Sequence, residues 1–309
     1  MKERDFIRDH LSRIAGEGAE GLQDDCAWLP YSNGWLAVST DTSVEGVHFP
    51  SSVKGAAATE RAVRVAASDI AAKGADPVGM LVNLSIPGDT ADPVIAALAL
   101  GIEEAGRALG LPLLGGDTTR HIGLLTISVT VFGQCKRKIL RSGAEVGDTI
   151  WISGPIGGGL AGLRYLQGNP LTSKPSGEDL MHWEEAFLRP DIPINQAGTI
   201  QTAATASLDV SDGLLADARH ISEASGVGLV LDSETVPLFA GTEGFATESV
   251  ENLVTLLSAG DDYAALVTGT SNILAEAGFI PIGRVERGQG VILLHHGTQI
   301  DFGEGGYSH

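Results

Sequence analysis

A two-domain α/β protein is the fold class this sequence predicts, and three observations predict it. Apolar, strand-like runs alternate with Ala- and Leu-rich stretches at helical spacing along the whole chain. Its 309 residues suit one large or two medium domains. A basic cluster, Lys136, Arg137, Lys138 and Arg141, marks a compositional seam near 134–147. The boundary is placed there, giving an N-terminal domain of residues 1–140 and a C-terminal domain of residues 141–309.

The elements follow in order. Phe6, Ile7, Leu11 and Ile14 fall at helical spacing and predict an amphipathic helix. Residues 26–29 and 35–39 read as two strands around the turn Ser32-Asn33-Gly34. Residues 56–73 are Ala-rich and stop at Gly74, a common helix terminator. A strand over 78–84, a helix over 91–109, a short strand over 111–114 and a strand over 124–132 complete the first half. In the second half, strands are expected at 150–153, 207–210, 228–232, 264–268 and 291–294. Helices are expected at 159–167, 181–188, 193–205 and from Ser211 to about 224, with an exposed loop over 168–179.

Charge and cysteine usage exclude several classes. Lys and Arg number 20 against 39 Asp and Glu, a net charge of −19 that repels nucleic acid and anionic lipid. A nucleotide would be repelled as well, unless metal ions bridge the two. The two cysteines, Cys26 and Cys135, form no CxxC pair, which argues against zinc and a disulfide framework and agrees with a reducing cytoplasm. The charged start Met1-Lys2-Glu3-Arg4-Asp5 lacks a signal peptide's apolar stretch, and no apolar run is long enough to span a membrane.

Two stretches match G-x-G-x-x-G. Gly16–Gly21 follows a helix and carries acids where a pyrophosphate would sit. Gly157–Gly162 does lead from a strand into a helix, but no acid closes a second strand downstream, so it reads as a Gly-rich loop. Without any Gly-Lys dipeptide there is no Walker A loop, and there is no G-x-S-x-G elbow. A calcium-loop frame anchored on Gly213 would start at Leu208, which cannot ligate. His295-His296 ends a strand without evident partner ligands.

What remains is a set of short acidic motifs flanked by Gly, Ser or Thr. They are Asp24-Asp25, Ser39-Thr40-Asp41-Thr42, Ser68-Asp69, Gly115-Gly116-Asp117-Thr118, Asp209-Val210-Ser211-Asp212-Gly213 and Gly260-Asp261-Asp262, with Asp76-Pro77 as a weaker member. Carboxylates and hydroxyls beside small residues suit hard divalent cations, which in turn hold phosphate. Glycine N–H groups next to Asp117 could meet phosphate oxygens. Each motif has a bland reading too. Asp212 could simply cap a helix, and Asp69 could be a solvated helix residue. Against the latter, the neighbours of Asp69 (Ala66, Ala67, Ile70 and Ala71) are apolar.

In this order and wording the motifs resemble those of the thiamine-monophosphate kinase family. The matching stretches are Asp24–Ala27, Ser39–Thr42 through Gly46–Phe49, Ser68–Pro77, Gly115–Arg120, Arg141–Ala144, Asp209–Leu214 and Gly260–Tyr263, nearly the whole length. The resemblance implies the two-domain fold of the aminoimidazole ribonucleotide synthetase superfamily. There the N-terminal α/β domain pairs in a homodimer whose strands complete a barrel, and a sandwich-like α/β domain follows. It also implies a Mg²⁺-dependent kinase using several ions, which moves the γ-phosphoryl of ATP to thiamine monophosphate, giving thiamine diphosphate and ADP. Carried over residue by residue, Asp25, Ser39, Thr40, Asp41, Asp69, Asp117, Asp209 and Asp212 are expected metal ligands. Gly116, Asp117, Arg141 and Ser211 are expected ATP contacts. His48 and Asp261 match substrate-touching positions, and Phe302 stands where the family carries a stacking aromatic, with Tyr307 following. Asp24 and Asp76 are expected to be structural.

The chain departs from the family pattern in two places. Ala259-Gly260-Asp261-Asp262-Tyr263-Ala264 stands where the family often reads Gly-Gly-Glu-Asp-Tyr-Glu, and the segment after Pro190 lacks an expected arginine. These departures keep two other readings open: a related ATP-dependent kinase or synthetase with another acceptor, and a non-catalytic binder of nucleotide or thiamine phosphate. In the kinase reading no general base is expected, because a phosphate monoester with a second pKa near ~6 is already ionised at neutral pH. Charge compensation is expected from magnesium, Arg141 and Lys73.

Overall fold

The chain builds two mixed sheets, one from each half, with helices packed against them. This computed structural model describes residues 3–303 apart from 173, 174 and 271. A short helix, α1 (Glu3–Phe6), passes into a π turn and a 3-10 turn where the periodicity predicts one helix. The first half then contains β1 (Ala27–Tyr31), β2 (Gly34–Val44), α2 (Ala56–Ala72), β3 (Asp76–Pro87), α3 (Asp92–Leu109), β4 (Leu113–His121) and β5 (Thr126–Cys135). These strands form a sheet in the order β1-β2-β5-β3-β4, antiparallel except for the β3–β4 pair.

The second half contains β6 (Thr149–Ile152), α4 (Gly158–Leu166), α5 (Gly177–Leu188), α6 (Ala197–Ala203) and β7 (Ala206–Asp209). It continues with α7 (Leu214–Ser225), β8 (Gly228–Asp232), α8 (Glu243–Glu248), α9 (Val250–Ser258) and β9 (Ala265–Gly269). It closes with α10 (Asn272–Glu276), β10 (Ile280–Glu286), β11 (Gly290–His295) and β12 (Thr298–Ile300). Its sheet runs β12-β11-β8-β10-β6-β9-β7, with β8 and β11 parallel.

Helix α2 places the site. Alanine lets it pack closely, and its Ala58, Ala62, Ala66 and Ile70 are fully or almost fully buried. It ends where Gly74 takes a left-handed φ of 65°. A Cβ there would meet the Ala197 carbonyl at 2.8 Å, so only glycine allows α6 to approach. The buried face of β2 and β5 (Ala37, Ile127, Val129 and Val131) contributes to the same core. Phe187, Leu188, Ile192 and Tyr263 from the second half belong to that core as well, which welds the halves together beside α2.

Two strands are longer than predicted, and this matters for the site. Ser39–Thr42 lies inside β2, and Gly115–Thr118 lies inside β4, where strand ends were expected. Ladder pairing carries both strands through their small residues. Helices α8, α9 and α10 and strands β10 and β12 are further elements beyond those expected.

Candidate active site

Three carboxylates from three separate elements converge. Asp25 precedes β1, Asp69 comes from α2 and Asp209 ends β7, and one oxygen from each lies within 4.8 Å of the others. Alternation along β2 turns Ser39 and Asp41 toward α2, and the Ser39 hydroxyl donates to Asp69. Ser68, one residue earlier on α2, donates to Asp209 Oδ2 at 2.5 Å. The sequence reading missed Ser68 in this role, although it is the small residue preceding Asp69.

Cations compensate one side of the cluster only. Lys73 is fully buried, with Nζ 2.8 Å from Asp24, 2.5 Å from Asp25 and 2.7 Å from the Ser207 carbonyl. Enclosed in this way it cannot reach a nucleotide, so its expected help with phosphate charge is replaced by a structural role. Arg141 gives Nε and Nη2 to Asp25, and its side chain stays 27% exposed. Asp24 also accepts from the Trp28 indole at 2.9 Å, which makes it structural, as expected. Asp76 starts β3 and is exposed.

Burial raises the Asp25 carboxyl, but the Lys73 and Arg141 charges overcome it and hold the group below its usual range. Asp41 is pushed up by burial and by Asp25. Asp69 is pushed well up by burial and by Asp209, Asp41 and Asp25. Burial and Asp25 raise Asp209 to about 7. Two like charges 4 Å apart repel by about 4 kcal/mol at an effective dielectric of 20. Lys73 and Arg141 therefore leave three of these carboxylates without a cation. An all-oxygen donor set with uncompensated negative charge fits a hard divalent ion such as Mg²⁺.

The expected ligand set does not gather on one face. The Thr40 hydroxyl bonds Thr130 at 3.0 Å, on the face of the sheet opposite Ser39 and Asp41. Asp117 pairs with Asn83, Asn83 with Ser128 and Ser128 with Thr42, a row on that same outer face. Within one chain, Gly116 and Asp117 on β4 are also three strand spacings, roughly 14 Å, from β2. The physical reason is the period of two along a strand, which separates adjacent residues of one motif.

Near the start of α7, the Asp212 and Gly213 N–H groups both donate to Asp217 Oδ2 at 3.1 Å. Gly213, not Asp212, is the N-cap residue. Asp217 is buried, and its carboxyl is pushed well up by burial and by Asp212 and Asp209. Asp212, Asp217 and His220 also bring ligand atoms within 4.8 Å of one another. The argument that singled out Asp69, a charge on an apolar helix, applies equally to Asp217 among Leu214, Leu215, Ala216 and Ala218.

Ser211 joins this loop to the segment around Asp261. Its carbonyl accepts the Asp261 N–H at 3.0 Å, and the Val210 carbonyl accepts the Tyr263 N–H at 2.8 Å. Asp261 Oδ1 accepts from Arg61 Nη2 and from the Tyr263 hydroxyl, each at 2.6 Å. Asp261 also lines a cavity of ≈ 400 Å³ whose walls include Pro155, Ala186, Ile192 and Phe239. The Gly157–Gly159 loop is clamped onto Asp262. The Gly157 and Gly159 N–H groups donate to that carboxylate at 2.9–3.1 Å. Burial lifts the Asp262 carboxyl to about 7 despite these donors.

His48 follows β2, and its Nδ1 accepts the Val44 N–H at 3.0 Å, which leaves the ring proton on Nε2. Phe302 packs on the C-terminal core with Arg219 5.8 Å from its ring, and is not among the residues lining the cavity beside Asp261. Tyr307 lies outside the described residues. His295 and His296 do have a partner, Glu234, and the three bring ligand atoms within 4.8 Å of one another at the surface.

Comparison with known proteins defines the class first. Residues 23–135 match the AIR synthase related protein, N-terminal domain, and residues 145–296 match the C-terminal domain of the same family. The thiamine-monophosphate kinase of Caulobacter vibrioides is 32% identical over 97% of this chain and 90% of its own length. The structure of AaThiL complexed with AMPPCP and TMP superposes with a TM-score of 0.88 at 29% identity, covering 100% of this chain and 97% of that one. Thiamine-monophosphate kinase from Stenotrophomonas maltophilia gives 0.77 at 32% identity, covering 94% of each chain. The chain belongs to the thiamine-monophosphate kinase family of AIR synthase-related proteins.

Proposed function

We propose that this protein is an ATP-dependent phosphotransferase that converts thiamine monophosphate to thiamine diphosphate, with ADP as the second product. The uncompensated carboxylate cluster carries this reading, because phosphoryl transfer between two anions needs concentrated positive charge. Asp25, Asp41, Asp69 and Asp209, with Ser39 beside them, would hold several Mg²⁺ ions, and Asp212 would extend the set. Bound magnesium supplies neutralisation of phosphate charge. Arg141 keeps Nη1 for a phosphate oxygen while its other nitrogens orient Asp25. Ser211, exposed ahead of α7, offers a hydroxyl to the nucleotide.

Asp261 suits the ring end of the acceptor. Its Oδ1 is engaged, and it borders a cavity of mixed lining, apolar at Pro155, Ala186, Ile192 and Phe239 and charged at Glu185, Arg189 and Asp191, where the Asp261 carboxylate would favour a cationic or amino-bearing ring. Arg61, which grips Asp261, stands eight residues before Asp69 on α2, about 12 Å along the helix. An acceptor with its phosphate at the carboxylates and its rings at Asp261 must span a comparable length. His48 and Phe302 are further candidate contacts of that molecule. No side chain need act as general base, since the attacking phosphate oxygen is already ionised near neutral pH, above a second pKa of ~6.

The domain division at 140/141 and a homodimer belong to the same reading. Strand β4 is an edge whose residues from Leu113 to Arg120 are all exposed, and Leu29 and Tyr31 are exposed on the opposite edge strand. Pairing of such edges in a two-fold barrel would cover them and would give Thr40, Gly116 and Asp117 a role at a shared site. A cytoplasmic location agrees with two unpaired cysteines. No helix among the described residues is long and apolar enough to cross a membrane. The test is incubation with ATP, magnesium and thiamine monophosphate. Thiamine diphosphate is the expected product; its absence from a folded, ATP-binding protein refutes the reading.

A further inference from the structure

The geometry points to Arg61 and Asp262 as positioning residues that clamp Asp261 in place from opposite sides, one from each half of the chain. This rests on the reading of Asp261 as an acceptor contact. The loop needs holding. Asp261 has a φ of 72° and Tyr263 a φ of 56°, left-handed values that side-chain-bearing residues rarely adopt. Backbone of this kind is strained in a residue that carries a side chain, and the surroundings must impose it.

Two anchors impose it. On one side the Asp262 carboxylate takes N–H groups at the start of α4, from Gly157 and Gly159. A helix N-terminus of this kind takes an oxygen acceptor, and here the acceptor is the protein's own side chain. The Gly-rich segment that imitates a dinucleotide fingerprint is thereby explained. Gly159 also gives the room required, since a Cβ there would lie 2.5 Å from the Asp261 carbonyl oxygen and 2.7 Å from its Cβ.

On the other side Arg61 reaches across from α2. It is 3% exposed, donates to the Phe187 carbonyl, and lays its guanidinium 3.7 Å from the centre of the Phe187 ring. Its Nη2 then meets Asp261 Oδ1, to which the Tyr263 hydroxyl also donates. The second carboxylate oxygen is left for a ligand. Because α2 also carries Ser68 and Asp69, one rigid helix sets the acceptor contact and the carboxylates that would hold the metal in a common frame.

Steady-state kinetics on the full chain tests this with Arg61→Lys, Asp262→Asn and the conservative Tyr263→Phe, which removes only a hydroxyl. The KM for thiamine monophosphate should rise at least tenfold in the first two and about threefold in Tyr263→Phe. The KM for ATP and the magnesium dependence should stay within twofold. A merely structural role would move both substrates' constants together or lower kcat alone, and either result overturns the clamp. Tyr263→Phe keeps the test open where a charged-residue variant fails to fold, and an unchanged acceptor KM in that variant also overturns it. Absent turnover by the unaltered protein is a different failure. It overturns the kinase reading, and the acceptor assignment with it.

Discussion

The carboxylate cluster around Asp25, Asp69 and Asp209 and the loop around Asp261 are held by opposite means. The cluster is an excess of like charge in a rigid setting, with Asp69 on a 17-residue helix and Asp209 at the end of a buried strand. Its geometry comes from regular elements, and its instability without a counter-ion comes from electrostatics. The loop has little regular structure and two left-handed residues, and side-chain bonds to Arg61, Gly157 and Gly159 hold it. The difference teaches where each region should be sensitive. Removing charge from the cluster should cost function and relieve strain, whereas removing bonds from the loop should cost geometry.

The largest effect is expected in the cluster. Asp69→Asn or Asp41→Asn should lower kcat at least about 100-fold, the scale of losing one electrostatic contact to a transition state. In the same variants, thermal stability measured without magnesium should be unchanged or higher, because a repelling buried charge is gone. Near-normal turnover by a folded Asp41→Asn protein at saturating magnesium would sink the metal assignment.

Lys73→Met should be the most damaging change to stability, by about 3–5 kcal/mol, since it strips the buried Asp24 and Asp25 of a cation. Denaturant unfolding checks this, and a loss under about 1 kcal/mol would mean that Arg141 alone suffices. Next in size is ligand linkage. Magnesium at a hundred times its Kd should stabilise the protein by about 2.7 kcal/mol, and Asp69→Asn should abolish most of that gain in a thermal melt.

The smallest effect concerns pH and the loop. An unfolded chain releases the Asp262 proton near the ordinary carboxylate value, whereas the folded protein keeps it to about 7. Between those values the folded state holds the extra proton, so this group's contribution to stability falls as pH rises through the interval and is flat above it. Relative to the unaltered protein, Asp262→Asn should therefore gain stability as pH rises from about 4 to about 7. Parallel stability profiles would show that Asp262 is ionised in the fold across that range.

Much of the cluster was legible because its signal is local. A carboxylate among Ala66, Ala67, Ile70 and Ala71, or one closing the apolar run before Asp209, is conspicuous in one dimension. Asp217 carried the same signal and was passed over. The Asp261 clamp was not legible, because Arg61 and Asp261 are 200 residues apart and nothing in either neighbourhood names the other. Gly157–Gly162 misled for a related reason: a helix N-terminus that binds an anion looks the same whether the anion is a cofactor or an aspartate side chain.

The sequence by itself determined the two-domain α/β class, the helices α2 and α3, and the acidic motifs flanked by small residues to which Asp25, Asp41, Asp69 and Asp209 belong. Helical and strand periods and small-residue flanks are local, and the chain writes them directly. Only the tertiary structure decided which candidates share a face. Strand parity sends Thr40 and Asp117 to the side away from Asp41, and burial takes Lys73 out of reach of any nucleotide. Those outcomes depend on register and packing between distant segments, which no local pattern encodes.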